Sequence, residues 1–233
     1  MRRETIPPMR THAPAQEVLL AGASGLIGRE LARLLLAQIP PVRLRALVRR
    51  VPDGADDRVQ WQTVDFSRLP VLPAADEAYC ALGTTIRTAG SQDAFRAVDL
   101  DAVLAYARAA RSAGVQRFAV VSAMGANRRS PNFYSRVKGE MEAAIGALGF
   151  ASVVIARPSL LAGDRSALGQ PARTAERLGL LLTRPVSALI PKSVRPIAAA
   201  TVARGMIAAL RQQRPGVRIV ESGELQELGN ERT

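Results

Sequence analysis

The chain has 233 residues, 48% of them hydrophobic, and 32 lysines and arginines against 20 aspartates and glutamates give it a net charge of +12. That length suits one α/β domain with a sizeable core, and no apolar run reaches the roughly 18 residues of a membrane-spanning helix. A single cysteine, Cys80, and a single histidine, His12, exclude an internal disulfide, a cysteine-based zinc cluster and a histidine-rich metal site. No metal is therefore expected. His12 also lies in the N-terminal tail, where it is badly placed for a Ser-His-Asp triad. The basic balance raises nucleic acid as a partner. Its cations are scattered, however, and Lys138 and Lys192 are the only lysines among the 32, leaving 30 arginines and no dense basic run. Nucleic acid is set aside, and a soluble cytoplasmic monomer or homodimer acting on a small molecule is the expectation.

In chain order, Met1–Gln16 has three prolines and three arginines without periodicity and reads as a flexible tail. Val18–Leu19–Leu20–Ala21 is an apolar strand that runs into Gly22–Ala23–Ser24–Gly25–Leu26–Ile27–Gly28. A helical pattern follows at once, with Leu31, Leu34, Leu35 and Leu36 on its apolar face, and Pro40–Pro41 stops it. This is the strand–turn–helix grammar of a dinucleotide site. Gly22 permits the tight turn, Gly25 lets backbone approach a pyrophosphate, and Gly28 lets the helix pack closely. The helix N-terminus offers free N–H groups to phosphate, and Ser24 can add a hydroxyl donor. The alternative is a glycine-rich turn that binds nothing. A Walker loop is excluded, because no Gly-Lys-Ser/Thr ends the turn.

Further strands are predicted over Val42–Val48, Val59–Val64, Glu77–Leu82, Arg117–Val121, Ala151–Ala156 and Val217–Val220. Helices are predicted over Ser91–Ala113 and Phe133–Leu148, with helical spacing again at Val202, Met206, Ile207 and Leu210. The apolar stretch Leu178–Leu182 is a further helix start, and Gln226–Thr233 reads as a polar end. Strands alternating with helices imply one Rossmann-type, doubly wound parallel sheet of about seven strands over residues 17–228. A small substrate-side region falls at about 159–197. Ligands of such sheets sit outside the carboxyl ends of the strands, so Leu82–Gly83–Thr84–Thr85 should lie under the cofactor.

Arg49–Arg50 ends the second strand, where an NAD site would place an acid for the ribose 2′-hydroxyl. Arginine suits the 2′-phosphate of NADP through charge and a planar donor fork; two solvated arginines are the plainer alternative. Asp65, after the third strand, is placed to border the adenine. Tyr134 and Lys138 stand four apart on one helix face, with Ser122 twelve residues earlier at a strand end. Such a set can do acid–base chemistry on a carbonyl or alcohol. Ser122 holds the oxygen and Tyr134 passes the proton. Lys138 binds the nicotinamide ribose and favours tyrosinate by its charge. The plainer alternative makes Tyr134 an interfacial aromatic and Lys138 a solvated charge. Cys80, in a predicted buried strand, reads as an inert core thiol.

The glycine turn, Ser122 and Tyr134-x-x-x-Lys138 resemble the short-chain dehydrogenase/reductase superfamily in its atypical branch. Cys80–Thr85, Val98–Asp99, Asn132–Glu140 and Ala156–Arg157–Pro158 are similar to the Tat-interacting-protein-like NADPH-binding oxidoreductases. The resemblance runs from about Val18 to Leu228. It implies a Rossmann domain, NADP(H), and Ser122, Tyr134 and Lys138 in the roles above. It also implies Gly22, Ser24, Gly25, Leu26, Ile27, Arg49, Arg50, Leu82, Gly83, Lys138 and Arg157 near the cofactor. It names no substrate, and it leaves open an NADPH-occupied regulatory or scaffolding protein with little turnover. Ala123–Met124 is less polar than the subgroup's pattern.

Overall fold

The computed structural model describes residues 16–162 and 195–230. Seven strands form one sheet: β1 (Gln16–Ala21), β2 (Val42–Val48), β3 (Val59–Thr63), β4 (Glu77–Cys80), β5 (Arg117–Val121), β6 (Ser152–Arg157) and, last, a strand at Gly216–Glu221. Two short strands, β7 (Leu161–Ala162) and β8 (Ile197–Ala198), pair separately, so the Gly216–Glu221 strand is β9. The sheet order is β3-β2-β1-β4-β5-β6-β9, with every neighbouring pair parallel. The order reverses between β1 and β4, which opens a crevice above their carboxyl ends.

The central strands β1, β4, β5 and β6 are buried on both faces, and their side chains alternate between two cores. Val18 and Leu20 of β1 face one core with α1 (Leu26–Leu36) and α6 (Ala199–Arg211). Leu19 and Ala21 face the other, with α4 (Val103–Ser112) and α5 (Phe133–Gly146). Leu31, Leu35, Val202, Met206 and Leu210 fill the first core; Phe95, Val103, Tyr106, Val137, Met141 and Ile145 fill the second.

Several boundaries move. Gln16, assigned to the tail, begins β1; residues 1–15 lie outside the described residues, as do Leu178–Leu182 and most of the region expected at 159–197. The strand expected over Glu77–Leu82 stops at Cys80, and Ala81 N–H still donates to Ala21 O. The helix expected over Ser91–Ala113 has three parts: α3 (Gln92–Arg96), a π-helical stretch (Ala97–Ala102) and α4. The wider turn carries Asp99 and Leu100 into the core and leaves Val98 half-buried. The polar end expected at Gln226–Thr233 is largely helical: α7 (Ser222–Asn230) packs on α6, with Leu225 fully buried and Arg204 Nε donating to Gly229 O at 2.6 Å.

Candidate functional site

The floor of the site is the turn between β1 and α1. Gly22 has φ of +84°, and a Cβ there would lie 2.6 Å from Leu82 N. Only glycine lets β1 and the chain leaving β4 approach so closely. A Cβ on Gly28 would overlap Gly22 O, so α1 folds back on its own entry turn as well as on the sheet. Gly25 N–H donates to Gly22 O at 3.0 Å, and Gly25 caps α1 without a side chain. The N-terminal amides of α1 are therefore left for a ligand, and Gly25, Leu26 and Ile27 line the cleft above them.

The opposite wall is α5. Asn132 Oδ1 caps it by accepting from Ser135 N at 3.1 Å. A Cβ on Gly139 would overlap the backbone of Asn127 and Arg128, so α5 sits directly on the loop after β5. Tyr134, Lys138 and Glu142 recur every fourth residue along one face. Tyr134 lines the cleft, and its ring packs on Phe95 with centroids 5.5 Å apart.

Lys138 Nζ stands 2.7 Å from Asp99 Oδ1, with side-chain exposures of 4% and 1%. Burial alone would lower the lysine pKa; the Asp99 carboxylate, together with Tyr134, outweighs this, and the net shift is upward. Asp99 Oδ2 also accepts from Thr84 N at 2.8 Å. The π-helical stretch thus ties the turn after β4 to the lysine of α5.

Ser122 lines the same cleft, but its hydroxyl proton is already committed. Ser122 Oγ–H donates to Glu142 Oε1 at 2.5 Å. Arg157 grips that carboxylate through Nε (2.9 Å) and Nη2 (2.6 Å). It also donates to Glu221 Oε1 and Ala126 O. Its hydrogen bonds to Glu142 raise the guanidinium pKa further, against the effect of burial. Arg157 is absent from the cleft lining, and its guanidinium is engaged by Glu142, Glu221 and Ala126 O. The strand expected to end at Ala156 ends instead on Arg157, whose guanidinium joins β6, α5 and β9.

The remaining expected residues divide between the cleft, the exposed surface and the core. Arg49 and Arg50 follow β2 and are exposed, with Arg50 Nη2 3.7 Å from Asp53 Oδ2. Asp65 is exposed; its carboxylate accepts from Ser67 N and Ser67 Oγ, and those bonds hold its pKa below the ordinary value. Ser24 is exposed, and its carbonyl accepts from Arg29 Nε at 3.2 Å. Leu82 and Gly83 line the cleft, and a Cβ on Gly83 would meet Asp99 Oδ1 at 3.4 Å. Cys80 is buried, and that burial pushes its thiol up to about 12, as suits a core residue. Asp99 and Glu142 are the residues that sequence reasoning left without a role. Asp99 entered only through the Val98–Asp99 likeness, and the signal for Glu142 was an acid set among apolar positions of a helix.

Between these walls is a cleft of about 720 Å³, bounded by the α1 turn, the turn after β4, the end of β5, α5 and Pro158–Leu161. That volume is within the usual span for small-molecule and cofactor sites. Among the described residues no group of His, Cys, Asp and Glu is arranged to hold a metal ion, and no helix is long and apolar enough to cross a membrane.

The class of protein follows from this arrangement and from comparison with known proteins. A family model for NAD(P)H-binding domains matches residues 22–163. Rat protein HTATIP2 is 35% identical over 172 residues, covering 70% of this chain and 71% of its own. Emericella nidulans fmp52, a protein named mitochondrial, is 34% identical over 173 residues, covering 69% and 72%. Among solved structures, MoeE5 in complex with UDP-glucose and NAD superposes with a TM-score of 0.66 at 16% identity, over 92% of this chain and 81% of that one. Helicobacter pylori ADP-L-glycero-D-manno-heptose-6-epimerase gives 0.65 at 17%, over 89% and 77%. These two likenesses show the Rossmann fold. The chain belongs to the NAD(P)H-binding oxidoreductase-like family, in its Tat-interacting-protein-like group. The cytoplasmic expectation is overturned by the Fmp52 relatives, several of which are named mitochondrial. One cysteine and no spanning segment exclude few compartments, since mitochondrial interiors are aqueous and keep thiols reduced as well.

Proposed function

We propose that the protein is an NADP(H)-dependent oxidoreductase acting on a small carbonyl or alcohol. The observation that carries the reading is a single cleft with free helix amides on one wall and Tyr134 beside a buried, charged Lys138 on the other. The amides of Leu26 and Ile27 would hold the pyrophosphate, and Gly22, Gly25 and Gly28 let the chain pass close beneath it. Lys138 would hold the ribose hydroxyls. Arg49 and Arg50, exposed cations just after β2, would take the 2′-phosphate. When bound, the cofactor supplies or takes up a hydride. Tyr134 holds the proton at its phenolic oxygen and exchanges it with the substrate oxygen. Asp99 keeps the Lys138 ammonium charged one helical turn from that phenol. Ser122 faces the substrate oxygen from the far side.

A second reading, an NADPH-binding regulatory or scaffolding protein with little turnover, is favoured by one observation: the Ser122 proton is held by Glu142 and not offered to the cleft. A screen of aldehydes, ketones and quinones, followed by loss of NADPH absorbance, separates the two. Turnover of any of them supports the oxidoreductase. NADPH binding without turnover across the whole screen supports the second reading.

A further inference from the structure

Ser122 has one proton and two acceptor positions. The proton goes to Glu142 Oε1 at 2.5 Å, in a bond strengthened by the carboxylate charge. Glu142 cannot swing away, because Arg157 holds both of its oxygens. Arg157 is fixed in turn by Glu221 Oε1 at 3.0 Å and Ala126 O at 3.1 Å. The Glu142 side chain is only 8% exposed and that of Arg157 18%. For Ser122 to donate into the cleft it must give up a charge-assisted bond to a buried carboxylate, which water cannot readily replace. The hydroxyl stays turned, and what the cleft meets is its lone pairs.

We infer that the Glu142–Arg157 pair fixes the polarity of Ser122, so that the ligand oxygen seated beside Tyr134 belongs to an alcohol in preference to a carbonyl. An alcohol makes two bonds there: it donates to Ser122 Oγ and accepts from the Tyr134 hydroxyl. A carbonyl only accepts. It bonds to Tyr134 alone, and its lone pairs face those of Ser122. Glu142 is then a positioning residue that acts through Ser122, and Arg157 fixes Glu142. Ala123 and Met124, the next two residues of the cleft wall, have no hydroxyl to supply the missing donor. The inference rests on reading the cleft as the cofactor and substrate site.

The test uses the full chain with NADP⁺ and two small probes of similar size, tert-butanol and acetone. Neither can react: tert-butanol has no hydrogen on its carbinol carbon, and acetone is already oxidised. Amide shifts of Ser122 and Ala123 report binding of each. One added hydrogen bond predicts that wild type prefers tert-butanol roughly five- to tenfold. Ser122→Ala should bring the ratio close to one. Glu142→Ala, which frees the serine proton, should move it toward acetone. A purely structural role for Glu142 would weaken both probes together and leave their ratio unchanged. Parity or an acetone preference in wild type overturns the inference. So does a tert-butanol preference that survives Ser122→Ala, or the absence of any shift at the two amides. Calorimetry with NADPH on the same samples keeps the two readings apart. Failure to bind NADPH sinks the oxidoreductase itself, whereas NADPH binding with probe parity sinks only the polarity of Ser122.

Discussion

Replacing Asp99 by asparagine isolates one charge in the most buried part of the site. The amide oxygen can still accept from Thr84 N, a 2.8 Å bond in the native protein, so the backbone turn keeps its partner. Lys138 loses its counter-ion, which stands 2.7 Å away in a setting where both side chains are almost fully covered. Leaving one member of such a pair alone costs about 3–5 kcal/mol. At roughly 2–4 °C per kcal/mol for a chain of this size, Tm should fall by about 6–20 °C. The pH dependence gives the sharper check. In the native protein the net pKa shift of Lys138 is upward: burial pushes it down, and Asp99, helped by Tyr134, outweighs that. The folded chain therefore keeps that proton longer than the unfolded one. The contribution is full below the ordinary lysine value of about 10.4 and is lost as pH rises through the raised value. In Asp99→Asn, burial, the largest single influence on Lys138, loses its main opponent and the lysine pKa falls below the ordinary value. The unfolded chain then binds the proton more tightly, and stability rises with pH up to about 10.4. Urea unfolding of both proteins between about pH 7 and about pH 10 should show a gap that narrows as pH rises. Equal stability at neutral pH, or a gap that stays constant across the range, would refute the account of Lys138 as a buried charge held by Asp99.

Gly28→Ala places a Cβ against Gly22 O, so α1 must shift from its turn. A loss of about 1–3 kcal/mol is expected, read by thermal unfolding, together with loss of NADPH binding by calorimetry. Cys80, with its thiol pushed up to about 12, should resist a disulfide reagent at neutral pH in the folded protein and react once denatured. Arg49→Ala with Arg50→Ala should weaken NADPH about ten- to a hundredfold and leave NADH unchanged. Equal affinity of the unaltered protein for the two cofactors would remove the basis for assigning NADP.

The sheet was legible because β1, β4, β5 and β6 are short apolar runs closed by small or polar residues, and each run could be read alone. The glycine turn was legible for the same local reason. Gly22 and Gly28 answer to contacts within the first βα unit and with the strand beside it. What escaped were the pairings between distant elements. Asp99 meets Lys138 across 39 positions, and a π-helical stretch, which has no reliable composition, sets its direction. Ser122, Glu142, Arg157 and Glu221 come together only after β5, α5, β6 and β9 have assembled. Arg157 stands one residue beyond a strand that was read correctly in place and one residue too short. Its carboxylate partners, on α5 and β9, stand 15 and 64 positions away. The helix α7 escaped because Leu225 and Leu228 are its only large apolar residues, too few to set a period.

The central claim is that Tyr134 handles the substrate proton beside Lys138, and the most direct measurement of it is the turnover of Tyr134→Phe on a substrate found in the carbonyl screen. The variant keeps the ring that packs on Phe95 and removes only the hydroxyl. Loss of a positioned acid–base group predicts a fall in turnover of about 10²–10⁴-fold, with NADPH affinity by calorimetry nearly unchanged. Turnover at the wild-type rate, with NADPH bound as tightly, would contradict the account and move the chemistry away from this cleft.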